Sequence, residues 1–408
     1  MRRLSASWVL YDIASSGYVL LITAVAFPLY FKTYVTGNAP WSDLLWGALL
    51  AAASTMAGII APAAGAAADI SGKRLCCLAI ATGGCSLATI SLAATTSLPL
   101  IALLFVLSYV AYLVAAGLYD ALLKSIATPE RSGLLSGLGW GLGYIGGLIC
   151  YVLSHSFFGS NEGASTASTY SLTFVVVGLY YGLIGGVAIY GMRHVRQPAL
   201  DPGSGSLLAR SFARVSATMS AWKAGGEVPR LIIGVSLVTG AAGAIAVFTP
   251  LILAGYFGLA IHEVAFLSAM FSLIAIPSTL LAGVLTLRIN SLMLLLFLIP
   301  VWLVVILTLV LGTGWWAGLA VALCLGAVIG PTNAVARAIV ANSIREEQAG
   351  EMFGFAALVN RLAAALGPLF FGALSSASAS RWLPLLVVGS ALLAGLLTMP
   401  KRLRSDLG

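Results

Sequence analysis

Apolar residues in this chain fall into long unbroken runs, with neither the strict alternation of half-buried strands nor the one-sided stripe of surface helices. A helix needs about 20 residues to cross a hydrocarbon layer of roughly 30 Å. Twelve runs meet that length: 8–31, 43–68, 75–95, 99–122, 133–155, 171–192, 231–255, 264–287, 291–311, 315–336, 351–374 and 382–399. The breaks between them are short and carry turn residues or charge. One is long, "RHVRQPALDPGSGSLLARSFARVSATMSAWKAGGEVPR" (193–230), rich in Gly, Ser, Pro and basic residues, and it divides the runs six and six. The pattern predicts an all-α integral membrane protein of twelve transmembrane helices in two six-helix pseudo-repeats. Bundles are expected over 1–192 and 231–408, joined by a linker over 193–230.

Composition agrees. Of 408 residues, 60% are hydrophobic and 8% charged, where soluble domains carry about 25% charged residues. The mean hydropathy is +1.03. Cys76, Cys77, Cys85, Cys150 and Cys324 all sit in apolar runs, with no paired extracellular pattern and no metal-ligand spacing. The first run lacks the short apolar core and small-residue cleavage site of a signal peptide, so it is expected to remain as a helix.

The net charge of +8 is unevenly placed. Lys and Arg favour the cytoplasmic side of a membrane protein. With the N-terminus inside, 18 of the 21 basic residues fall in inner segments, the 193–230 loop included. Lys32 and Arg381 fall outside, and Arg361 lies within a span. Both termini are therefore expected in the cytoplasm. The positive charge then reads as a topology signal and as affinity for anionic lipid headgroups, with no nucleic-acid partner.

The halves resemble each other in order. "AVAFPLYF" (24–31) matches "IAVFTPLILAGYF" (245–257), and Pro62 matches Pro277. "YDALLKSIA" (119–127) pairs with "TNAVARAIV" (332–340), aligning Asp120 with Asn333, and "GYIGG" (143–147) pairs with "GPLFFG" (367–372). Two related six-helix halves are the plan of alternating-access carriers, whose substrate site lies at the midplane between them. At the end of the second run stands "GAAADISGKR" (65–74), with Gly65, Asp69, Gly72, Lys73 and Arg74. It resembles the loop signature of the major facilitator superfamily. Gly65 permits close helix approach, Asp69 can cap or pair across an inner gate, and Lys73 and Arg74 anchor the turn at headgroups. Such a loop is a conformational latch without substrate contact. The matching place in the second half, "AGVLTLRINS" (282–291), keeps a Gly and Arg288 but lacks the acid.

Three longer stretches are similar to the vacuole-effluxer-like group of that superfamily, also called unknown major facilitator family 1. They are "WVLYDIASSGYVLLITAVAFPLYF" (8–31), "SIATPERSGLLSGLGWGLGYIGGL" (125–148) and "GEMFGFAALVNRLAAALGPLFFG" (350–372). The chain departs from that pattern at Asp120, where the group has Asn. The resemblance implies solute transport, which in fungal members is amino-acid efflux from the vacuole. For bacterial members it implies no particular substrate.

Asp12, Asp120 and Arg361 are the ionisable groups that these spans place within hydrocarbon. At ~1.5 Å rise per residue, Asp12 lies about 6 Å above Trp8 and Arg361 about 15 Å into its span. A charge there costs roughly 2.5–3.5 kcal/mol on the lenient insertion scale, and such residues usually mark a pathway. Arg361 with Asn360, Asp12, Tyr11, Tyr18, Trp140, Tyr144 and Asn333 are the candidate substrate contacts, and Asp12 and Asp120 the candidate proton carriers. Structural roles compete: an i,i+4 pair of Asp120 with Lys124, backbone or Ser hydrogen bonds to Asp12, an Arg361 that merely neutralises an acid, and Trp140 and Tyr144 as interface filling. The string from Gly137 to Gly147 puts glycines at small-xxx-small spacing, which lets helices approach closely.

The same string contains GxGxxG (Gly141, Gly143, Gly146), but no strand precedes it, so no nucleotide cofactor is expected. His155, His194 and His262 lack a second ligand at helical spacing, and no nucleophile motif appears. No catalytic residue, metal or cofactor is expected. The reading is a monomeric, inner-membrane, proton-coupled secondary carrier of a small organic solute, an amino acid or similar zwitterion or anion. A vitamin, a siderophore or another organic anion is the alternative cargo. A non-transporting receptor or a membrane-embedded enzyme is the alternative class.

Overall fold

The computed structural model describes residues 2–156, 167–197, 199, 206–223, 226–360 and 382–399. The described regular structure is all helical. In chain order the α-helices are α1 (Arg2–Tyr18), α2 (Ala26–Tyr30), α3 (Ser42–Ser71), α4 (Arg74–Ser91), α5 (Leu98–Ile126), α6 (Pro129–Ser156) and α7 (Ala167–Gly191). They continue with α8 (Leu207–Lys223), α9 (Glu227–Gly255), α10 (Ile261–Leu285), α11 (Ser291–Leu311) and α12 (Gly314–Ser343), then α13 (349–360) and α14 (Trp382–Thr398). With no water in hydrocarbon, each backbone amide must be satisfied within its own segment, and a continuous helix does that.

Among the described residues, ten helices are long and apolar enough to cross a membrane. They correspond to the first ten apolar runs. The expected count of twelve is not reached here. From residue 361 the eleventh run lies outside the described residues, and the twelfth is α14, of 17 residues. The first span runs from Arg3 to Val35 and changes pitch. Val19–Val25 and Phe31–Val35 are π-helical, flanking the short α2 that carries Pro28, a residue without a backbone donor. The linker, read as a loop, contains a helix of 17 residues, α8.

The chain forms two compact units that do not follow the halves of the sequence. Unit 1 comprises Met1–Ile126, Leu142–Val215 and Glu346–Gly354; unit 2 comprises Ala127–Gly141, Ser216–Arg345 and Phe355–Gly408. Unit 1 packs α1 on α7, α4 on α5 and α3 on α5. Unit 2 packs α9 on α14, α11 on α12 and α10 on α12, which is the same set of pairings in the order of the apolar runs.

The glycines of α6 explain why this helix contributes to both units. In unit 2, a Cβ at Gly137 would stand 2.6 Å from Gly283 Cα, and one at Gly133 would overlap the Thr286 side chain. In unit 1, a Cβ at Gly146 would lie 2.3 Å from Ile13 O and one at Gly143 2.7 Å from Ser16 Oγ. Small residues allow these helix crossings, where packing replaces the hydrophobic effect as the driving force.

Candidate functional site

The end of α3, the start of α4 and the start of α13 meet in unit 1. Asp69 lies in the last turn of α3, so this part of the expected gating loop is helical. The loop itself is reduced to Gly72 and Lys73. Gly72 closes α3 in the left-handed region at φ 65°, which a residue without Cβ adopts at little cost. Its N–H and that of Lys73 both bond to Ala68 O. This tight reversal returns Arg74, the first residue of α4, onto Asp69.

Both side chains are buried, at 0% exposure for Asp69 and 1% for Arg74, so Arg74 is an internal ion-pair partner and not the headgroup anchor expected from the sequence. Arg74 Nε donates to Asp69 Oδ1 at 2.7 Å. The same carboxylate caps α13: Gly350 N donates to Oδ1 at 3.1 Å and Glu351 N to Oδ2 at 3.0 Å. A helix start has orphan N–H groups and a partial positive charge, so a carboxylate there is stabilising on both counts. Arg74 completes the cluster through Ser125 Oγ at 3.5 Å and the Glu346 carbonyl. Both oxygens of the acid and three arms of the guanidinium are thus used, which is how a buried ion pair offsets its desolvation.

Glycine makes this capping distance attainable. A Cβ on Gly65 would fall 2.2 Å from Gly350 O, one on Gly350 2.8 Å from Gly65 O, and one on Gly354 2.7 Å from Pro62 Cα. Backbone therefore lies on backbone along about one turn of each helix. Glu351 and Gly350 were not singled out from the sequence. The available signal was the small-xxx-small spacing of Gly350 and Gly354 opposite Pro62 and Gly65.

The remaining candidates are spread over both units. In unit 1, Asp12 and Asp120 are half-buried on α1 and α5. Those helices are tied by Trp8 and Tyr119, which stack at 4.6 Å and exchange hydrogen bonds, Trp8 Nε1 to Tyr119 O at 3.2 Å and Tyr119 OH to Trp8 O at 3.0 Å. Tyr11 stacks on the same Tyr119 ring, and its hydroxyl bonds to Thr82 Oγ1 and Tyr181 OH, each at 2.7 Å. Tyr18 bonds to Ser108 Oγ at 2.9 Å and stacks on Tyr112. Both tyrosines are buried in helix packing, at 1% and 0% exposure. Tyr144 is half-buried on α6.

In unit 2, Asn333 Nδ2 bonds to Ile329 O of its own helix at 2.9 Å, and Asn360 donates to Thr239 Oγ1. The Arg337 guanidinium lies 6.0 Å from the centre of the half-buried Trp140 ring. Arg337 also donates to Ser136 Oγ at 2.8 Å and Ser136 O at 3.0 Å, a buried cation whose role as α6 anchor the sequence reading missed. Arg361 lies outside the described residues.

Solved structures share the fold along nearly the whole chain. The transporter FucP in its outward conformation aligns with a TM-score of 0.75 at 14% identity, covering 98% of each chain. The chain has the major facilitator superfamily fold. The human organic anion transporter MFSD10 (TETRAN) has that fold too, with a TM-score of 0.68 at 15% identity over 97% of this chain and 99% of the other. Another match is the proton:xylose symporter XylE, with a TM-score of 0.65 at 13% identity over 97% of this chain and 94% of that one. The family model described as Major Facilitator Superfamily matches residues 231–406. A curated relative, the uncharacterized MFS-type transporter YxiO of Bacillus subtilis (strain 168), is 28% identical over 222 residues, 52% of this chain. The match spans about half the length of that relative, 51%.

Proposed function

We propose that the protein is a secondary active transporter that moves a small organic solute by alternating access, coupled to protons. The observation that carries this reading is the full-length likeness to transporters of the major facilitator fold, two of them described as proton symporters, for fucose and for xylose. Asp12 and Asp120 support the coupling, because they bring two carboxylates to one packed helix pair within candidate spans. The preferred cargo is an amino acid or a similar zwitterion or anion, as the resemblance to the vacuole-effluxer-like group implies. In this reading Asp69 and Arg74 belong to the gate: they hold the start of α13 in one state and release it in the other. The protein acts as a monomer in the inner membrane. Uptake into proteoliposomes separates a carrier from a receptor, and a thermal-shift screen of amino acids, peptides, vitamins and siderophores identifies the ligand class. No uptake of any ligand that shifts the melting curve would overturn the transport reading.

Topology is part of the proposal: twelve spans, with both termini and the 193–230 linker in the cytoplasm, because the basic residues cluster there. Reporter fusions at residues 210 and 162 are expected to give opposite signals. Equal signals would rule out the arrangement.

Arg361 is proposed to bind an anionic group of the solute, its planar fork matching carboxylate geometry. Arg361→Lys is expected to weaken ligand binding about tenfold or more, and Arg361→Ala to remove it, in protein that still folds. Normal transport by Arg361→Ala would assign the residue to packing or to lipid headgroups.

A further inference from the structure

Glu351 does more than give its N–H to Asp69. Its side chain is 1% exposed. Oε2 accepts a hydrogen bond from Arg214 Nε, while Oε1 has no hydrogen-bond partner among the described residues. Arg214 lies on α8, 137 positions earlier in the chain, in the part of that helix that belongs to unit 1 together with 346–354. Next to it on the inner face of α8, Ser211 is fully buried. The linker helix is thus docked, and it supplies the counter-ion of a buried carboxylate.

We propose that α8 is a removable strap on the Asp69–Arg74 latch, with Arg214 as its positioning residue; this rests on the latch reading above. While α8 is docked, the Glu351 carboxylate is compensated and the start of α13 stays on Asp69. When α8 lifts, that carboxylate is left buried without a counter-ion and with one oxygen already unpaired, a costly arrangement. The start of α13 must then move to hydrate it, and the movement withdraws the Gly350 and Glu351 amides from Asp69. Coupling of this kind is reciprocal, so release of the latch also loosens α8. Through α8, the linker gains control of a gate built by distant helices.

Amide hydrogen exchange on the full-length protein in lipid nanodiscs reads this directly, because the Gly350 and Glu351 amides are the latch bonds. Arg214→Gln is expected to speed exchange of peptides covering 346–354 by about tenfold or more, with peptides of α5 and α11 unchanged. Arg214→Lys is expected to keep most of the protection. Arg214→Gln combined with Glu351→Gln is expected to recover most of it, since the uncompensated charge is gone; this double variant also folds if the single one does not. Parental exchange in Arg214→Gln would overturn the strap, as would a double variant that exchanges as fast as Arg214→Gln. Asp69→Asn separates the two readings. If it speeds exchange and Arg214→Gln does not, the latch stands and the strap falls; if neither does, the latch reading fails with it.

Discussion

Gly65→Val is expected to abolish gradient-driven accumulation and to lower the thermal midpoint of the protein, whereas Gly84→Ala is expected to do neither. At Gly65 a Cβ would stand 2.2 Å from Gly350 O and 2.4 Å from its carbonyl carbon, with Glu351 N at 2.8 Å. These are backbone atoms inside a helix, so no rotamer change relieves the overlap. The helices must separate, and the Asp69 bonds to Gly350 N and Glu351 N, at 3.1 and 3.0 Å, do not survive the separation. Hydrogen bonds to a charged group are worth about 1.5–3 kcal/mol each, and overpacking adds about 1–3 kcal/mol. The sum is several kcal/mol, enough to break the latch or the fold. At Gly84 a Cβ would meet nothing within 4 Å among the described residues. Alanine there gains up to about 1 kcal/mol of helix propensity. Melting curves by intrinsic fluorescence, run beside proteoliposome uptake, check both variants. Normal uptake by Gly65→Val would mean that the close approach at Gly350 is not required for function.

Asp12→Asn is expected to abolish accumulation driven by a pH gradient while leaving exchange of internal for external solute intact. The amide keeps the size and polarity of the carboxylate but cannot shuttle a proton, so it separates the packing role from the coupling role. Acids within membrane spans recur in proton relays. Asp12 sits on α1 one turn after Trp8, and Asp120 is next to Tyr119 on α5; the Trp8–Tyr119 pair holds these two segments side by side. A proton on either acid therefore acts on one helix pair. Asp120→Asn is expected to do less, since Asn stands there in the vacuole-effluxer-like pattern. The assay is counterflow against pH-jump uptake in the same vesicles. Full gradient-driven uptake by Asp12→Asn would make that carboxylate a packing group and send the coupling elsewhere.

α6 shows how far sequence spacing reaches. Its glycines announced close helix approach, and the structure has close approach there. It takes two different partners: Gly133, Gly137 and Gly141 face α10 in unit 2, and Gly143 and Gly146 face α1 in unit 1. Spacing reports that a surface is thin, not what lies on it.

The apolar runs alone determined that the described regular structure is helical, with ten candidate spans in order, because a run of that length in hydrocarbon has no other way to satisfy its amides. The glycine spacing and the "GAAADISGKR" stretch likewise announced a tight helix crossing and a turn. Tertiary structure decided the partners. Asp69 finds its amides 281 and 282 positions away, and no local rule connects residues so far apart. Tyr11 and Tyr18 stand in the sequence only as candidate substrate contacts, and the structure adds that both are buried against neighbouring helices. Helices that are apolar nearly all round show no preferred face in the sequence, so which side turns inward is set only when neighbouring helices pack against it.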